Sequence, residues 1–276
     1  MKIFKKLALT LSLIFCACFV FACGDDAPKK TQLDYAVSVN TQGNYVEVAD
    51  KSEFSQYITG SGENKINTDI GIKFSMYMGM DMGEGSAMTT TANAILVKTT
   101  NDDFNMAMKM NMSLTSPESI SFSFESSMYK QNTNYYVSAT GYGQSEKYYF
   151  TQADIDAENP NASLDEFSGI QDFDFENTLT EIENLIQAEN SIVTKSETVE
   201  NGKTVVKYKV VVPSTEQGVS DSTAVIVLTD GQFTGMYYSV DVLGMVTNIH
   251  LVPFTGTIEY PSFNGYKHIN EMYAGQ

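Results

Sequence analysis

Arginine and tryptophan are absent from this 276-residue chain, histidine occurs twice, cysteine three times and proline six times. Each scarcity closes a route. Without the guanidinium fork, and at a formal net charge of −17, the chain repels nucleic acid and anionic lipid head groups and has no bidentate reader of phosphates or base edges. No nucleic-acid partner is expected. Cys16, Cys18 and Cys23 all fall at the start of the chain, so the remainder can form no intrachain disulfide, thiolate metal site or cysteine nucleophile. His250 stands beside Ile249 and Leu251, and His268 beside Lys267. Neither has the spacing of a metal-ligand pair, and both are expected to be structural. No GxSxG, SxxK or P-loop pattern occurs, so a nucleophile, base and oxyanion set cannot be assembled. The expectation is a noncatalytic protein with no cofactor.

What is present begins with an address. Lys2, Lys5 and Lys6 precede an apolar run from Leu7 to Phe21, followed by Ala22, Cys23 and the acidic Gly24-Asp25-Asp26. A charged start, a short apolar stretch and a small residue before a break are the layout of an export signal, and the run is too short to span a hydrocarbon core as a helix. Val20, Ala22 and Cys23 resemble the lipobox of bacterial lipoproteins. That resemblance implies diacylglycerol on the Cys23 sulfur after cleavage of residues 1–22, and a place in the bacterial cell envelope, on the extracytoplasmic side of a membrane. Cleavage removes three lysines and leaves a formal charge of −20. Residues 23–34 have no periodicity and are expected to be a flexible tether, with one β-rich domain over 35–276.

The domain starts with a short strand at Val46–Val48 and a helix at about 51–58, where Asp50 and Glu53 have capping-box spacing. From Ile70 to Met82 the period is two, with Phe74, Met76, Met78 and Met80 on one side. Ala92–Thr99 continues the pattern. Met106, Met108, Met110 and Met112 repeat the alternation, and Phe122, Phe124 and Met128 mark a fourth strand. Tyr135–Ala139 and Lys147–Thr151 complete a meander. Residues 152–172 are expected to be a loop or broken helix. Phe175, Leu179, Ile182 and Ile186 are spaced for one face of a helix over about 173–189. Asn201-Gly202 and Asp230-Gly231 mark tight hairpins in a second meander of strands at 191–199, 203–212, 223–229, 232–242, 246–252 and 255–260. The tail holds Phe263, Tyr266 and Tyr273, which the pattern does not place.

This order of short helix, long meander, amphipathic helix and second meander, with the MxMxM strands and the Ser127-Met128-Tyr129-Lys130, Tyr135-Tyr136-Val137 and Glu146-Lys147 rhythm, resembles the LolA/LppX-like superfamily of bacterial lipoproteins and carriers. The resemblance implies an α+β, mainly antiparallel fold: a curved half-barrel of about eleven strands partly covered by one short and one longer helix, whose concave face can hold acyl chains. Independently of it, an apolar sheet face must be covered by helix or sheet. The chain offers little helix.

The candidate ligand surface is therefore Phe74, Met76, Met78, Met80, Met106, Met108, Met110, Phe122 and Phe124, because unbranched thioethers re-pack around different shapes. The competing expectation is that they are core. Same-face neighbours on a strand lie about 6.8 Å apart, too far to share Cu(I) easily. Asp154, Asp156, Glu158 and Asp165 have partial EF-hand spacing without the turn glycine or the final glutamate, which is also how a solvated acidic loop looks. The partners expected are a membrane, through Cys23, and a lipid or amphiphile. From another class, a fully packed surface scaffold or adhesion module would meet protein or glycan through its outer faces.

Overall fold

The computed structural model describes residues 35–54, 57, 71–98, 104–116, 121–141, 143–158, 180, 182–184 and 186–273. The expected signal, the Cys23 lipidation site and the tether lie outside the described residues, as do 159–179. Six strands follow one another antiparallel: β2 (Gly71–Gly83), β3 (Ser86–Lys98), β4 (Phe104–Thr115), β5 (Ser121–Gln131), β6 (Asn134–Gly141) and β7 (Gln144–Thr151). A second run holds β8 (Ile192–Glu200), β9 (Lys203–Val212), β10 (Ser222–Thr229), β11 (Gln232–Val242) and β12 (Met245–Phe254). The runs join because β12 pairs with β2, from Met245 opposite Met80 to Phe254 opposite Gly71. The edges carry β1 (Val46–Glu47) against β8, and β13 (Lys267–His268) parallel to β7.

The result is one curved, unclosed sheet of thirteen strands in the order β1-β8-β9-β10-β11-β12-β2-β3-β4-β5-β6-β7-β13. Accumulated strand twist curls so wide a sheet. The mainly antiparallel expectation holds, with thirteen strands in place of about eleven. Two tight turns follow from glycine chemistry: Asn201 and Gly202 have φ of 53° and 78°, and Asp230 and Gly231 have 49° and 77°. Both residues of a type I′ turn need positive φ, which Asn-Gly and Asp-Gly tolerate. Among the described residues helix is short, and Tyr57, within the expected 51–58 helix, is helical. Lys51–Phe54 is a 3-10 turn, α1 spans Gln152–Glu158, helical residues occur between 180 and 187, and α2 spans Ile269–Tyr273. The acidic segment thus opens as a helix, and the part of the expected 173–189 helix before 180 lies outside the described residues.

The face bearing the methionine stripes, here the inner face, holds the main core, to which Phe54, Ile182 and Ile186 also belong. Two segments strap the outer face. In the first, residues 35–45, the Val37 amide donates to Ser75 Oγ at 2.7 Å and the Val39 amide to His250 Nδ1 at 3.1 Å. In the second, Ile258, Tyr260 and Phe263 pack on Ala107 and Tyr129, and the Phe263 ring stacks on Tyr136 with centroids 3.8 Å apart. Residues 255–260, expected as a strand, belong to this strap. The pairing of β12 with β2 ends at Phe254, and among the described residues no further strand is offered to the chain.

Candidate functional site

Residues directly paired across an antiparallel sheet share a face, so the registers lay out the inner face as rows. One row runs Leu251, Phe74, Ala94, Met108, Met128, Val137, Tyr148 from β12 to β7. The next runs Ile249, Met76, Ala92, Met110, Ser126, Ala139. Then come Thr247, Met78, Thr90, Met112 and Phe124, and at the border Met245, Met80, Met88 and Leu114. On the opposite flank, Ile72, Leu96 and Met106 lead to Lys130. In the three central rows the small Ala94, Ala92 and Thr90 of β3 make room for the long side chains on either side, whereas Met80 meets Met88 and Met106 meets Leu96.

Of the nine candidate ligand residues, Met76, Met78, Met106, Met108, Met110 and Phe124 are buried, while Phe74 and Met80 are half-buried. Phe122 pairs with Leu114, and its side chain lies outside the described residues. The structure thus brings the set together on one face. Thr90, Ser126 and Met128 share that face without having been singled out, because Thr89 to Thr91 carry no apolar signal. Thr90 is 1% exposed, yet its Oγ1 has no hydrogen-bond partner. Such an orphan costs about 1–3 kcal/mol. At the border exposure rises: Leu114 is 38% and Met82 47% exposed.

On the β8–β9 side the inner face is clamped by polar contacts. Lys51 Nζ donates to the carbonyls of Ala188 and Ser191 and to Ser191 Oγ, each at 2.9 Å, and the Ala188 carbonyl also accepts the Ser191 amide at 3.1 Å. Glu53 does not reach back to close the expected capping box. Its carboxylate accepts from Lys195 Nζ and, at 2.8 Å, from the Tyr208 hydroxyl. The Lys195 hydrogen bond holds the Glu53 carboxyl below the usual range, and the Glu53 hydrogen bond holds the ammonium of Lys195 above it. Burial, then Glu53, pushes the Tyr208 hydroxyl up. The Phe54 ring meets Tyr208 edge-on at 5.2 Å.

Both histidines have structural contacts. His250 Nδ1 holds the first strap, and burial lowers its pKa. His268 Nε2 lies 3.1 Å from Asp154 Oδ2. That carboxylate also accepts the Thr151 amide and hydroxyl at 2.7 Å, while the Asp154 amide donates to Thr151 Oγ1 at 3.3 Å, a reciprocal helix cap. The Thr151 hydroxyl, first of all, holds the Asp154 carboxyl below its ordinary value. The first position of the EF-like spacing is therefore spent on capping α1, and residues 159–165 of that spacing lie outside the described residues. Among the described residues no three His, Cys, Asp or Glu side chains gather as a metal site, and no helix is long and apolar enough to cross a membrane.

The chain matches no family model and no curated protein. Among solved structures it is similar to a DUF1329 family protein from Desulfovibrio piger, at 8% identity and a TM-score of 0.23, over 75% of this chain and 92% of that one. It is similar also to a beta-barrel-like protein of the DUF1849 domain of unknown function from Brucella abortus, at 7% identity and 0.21, over 69% and 98%. A third is a Vibrio parahaemolyticus domain described as outer membrane lipoprotein-sorting, at 11% identity and 0.17, over 77% and 95%. TM-scores this low transfer neither fold nor function from one chain to the other.

Proposed function

We propose that this is a noncatalytic, lipid-anchored envelope protein of LolA/LppX-like character, held to the membrane through Cys23, whose inner face receives a lipid or other amphiphile. The observation that carries the reading is the breadth of the thioether and phenyl surface. It crosses β2, β3, β4 and β5 in continuous rows, and the polar clamp of Lys51, Glu53 and Tyr208 sits away from it, on β8 and β9. Thioether side chains give such a surface the adaptability that a variable acyl chain requires. A second reading, a surface scaffold with a packed core, is favoured by the burial of Met76 and Met110 at 2% and 3% exposure.

One preparation separates them. Full-length protein is extracted from its host's membranes beside a Cys23→Ala variant, and both are weighed intact under denaturing and then native conditions. The amphiphile reading expects a diacylglyceryl mass that survives denaturation in wild type and is missing from Cys23→Ala, with a further noncovalent lipid in the native spectrum. A covalent lipid with no noncovalent companion favours the scaffold. Masses that differ only by the cysteine sulfur, with equal membrane attachment in both chains, overturn the anchor.

A further inference from the structure

Thr90 carries a buried hydroxyl that its apolar surroundings do not answer. It stands in the middle of β3, directly between Met78 of β2 and Met112 of β4, is 1% exposed, and its hydroxyl has no partner. A buried hydroxyl is retained at a cost when nothing answers it. Valine would fill the same space and suit a strand better. Its row lies between the border row of Met80, Met88 and Leu114 and the deeper rows of Met76 and Met108. No Lys, Asp or Glu stands in its own row from Thr247 to Phe124 or in the border row from Met245 to Leu114.

Resting on the amphiphile reading, we infer that Thr90 is the polar contact of the site and that the ligand is an uncharged glyceride-type amphiphile. Its ester or hydroxyl oxygen meets Thr90 Oγ1, its head turns to the exposed border, and its chain runs down the methionine rows. The six steps of β2 from Met78 back to Ile72 give that chain roughly 20 Å of strand. A carboxylate or phosphate at Thr90 would be a buried charge without a counter-ion in either row, which is far costlier than a neutral oxygen.

The test uses the full-length chain, freed of noncovalent lipid, with wild type, Thr90→Val and Thr90→Ser titrated against monooleoylglycerol and against octadecene by native mass spectrometry. Wild type and Thr90→Ser are expected to hold the glyceride about tenfold more tightly than Thr90→Val, with octadecene bound alike by all three. Ligand-free Thr90→Val is expected to unfold at the same temperature as wild type or higher, because the variant removes an orphan. Equal glyceride binding by wild type and Thr90→Val, with octadecene still bound, overturns the Thr90 contact and leaves the amphiphile reading standing. A lower unfolding temperature for Thr90→Val also overturns it, since the hydroxyl would then have a partner within the fold. Failure of wild type to bind either probe overturns both.

Discussion

His250 and Leu243 show how single side chains set local limits. The imidazole of His250 accepts the Val39 amide through Nδ1, which it can do only while that nitrogen is unprotonated. Burial lowers its folded-state pKa, whereas in the unfolded chain it takes a proton near about pH 6.5. Below that value the unfolded state binds more protons, so this contact stabilises fully above about pH 6.5 and is lost as the pH falls from there through the lowered folded-state value. Asparagine offers an oxygen in place of Nδ1 and does not titrate. From about pH 7 to pH 5, the urea midpoint of wild type should therefore fall relative to that of His250→Asn; parallel profiles would remove His250 from the pH response. Leu243 presents the opposite case. It sits in the β11–β12 turn at φ 55° and 77% exposed, where a branched side chain is disfavoured. Leu243→Asn should raise stability by about 1 kcal/mol in thermal unfolding.

Among the elements, strands were legible where one face is apolar and the other polar, and where a turn demands positive φ. Both conditions are local: Met106 to Met112 alternate, and Asn201-Gly202 and Asp230-Gly231 can adopt left-handed backbone. What the pattern could not reveal was which strand would have a partner. Residues 255–260 alternate as well as many strands do, but among the described residues β12 pairs with β2 only as far as Phe254, and Ile258 and Tyr260 pack on the outer face instead. The candidate site was partly legible for the same reason. Its methionines announce themselves by period, whereas Thr90 lies in a run of polar residues and becomes notable only once Met78 and Met112 are seen beside it. Packing of the second strap can be tested directly. The Phe263 ring touches those of Tyr129 at 5.7 Å, Tyr136 at 3.8 Å and Tyr266 at 5.5 Å. Phe263→Ala should cost about 2–3 kcal/mol in urea unfolding, and a loss well under about 1 kcal/mol would mean that the strap contributes little to holding the sheet.

At the scale of the whole molecule, the two meanders differ in the chemistry of their inner faces. The second is tied on its inner face by the Lys51 and Glu53 contacts, while the first carries the broad methionine surface. Their sheets are continuous through one seam, in which Met245 of β12 pairs with Met80, 165 residues earlier in the chain. Such distant pairing is slow to find, because the loop between must be ordered before the contact rewards it. A chain that emerges N-terminus first presents β2 long before β12 exists. During that interval ten residues of β2, Gly71 to Met80, lack one neighbour, and a long unpaired edge beside apolar rows is a template for pairing with other chains. The order of synthesis thus makes the unfinished protein more prone to self-association than the finished one, and a chain ending before residue 245 would keep that open edge permanently.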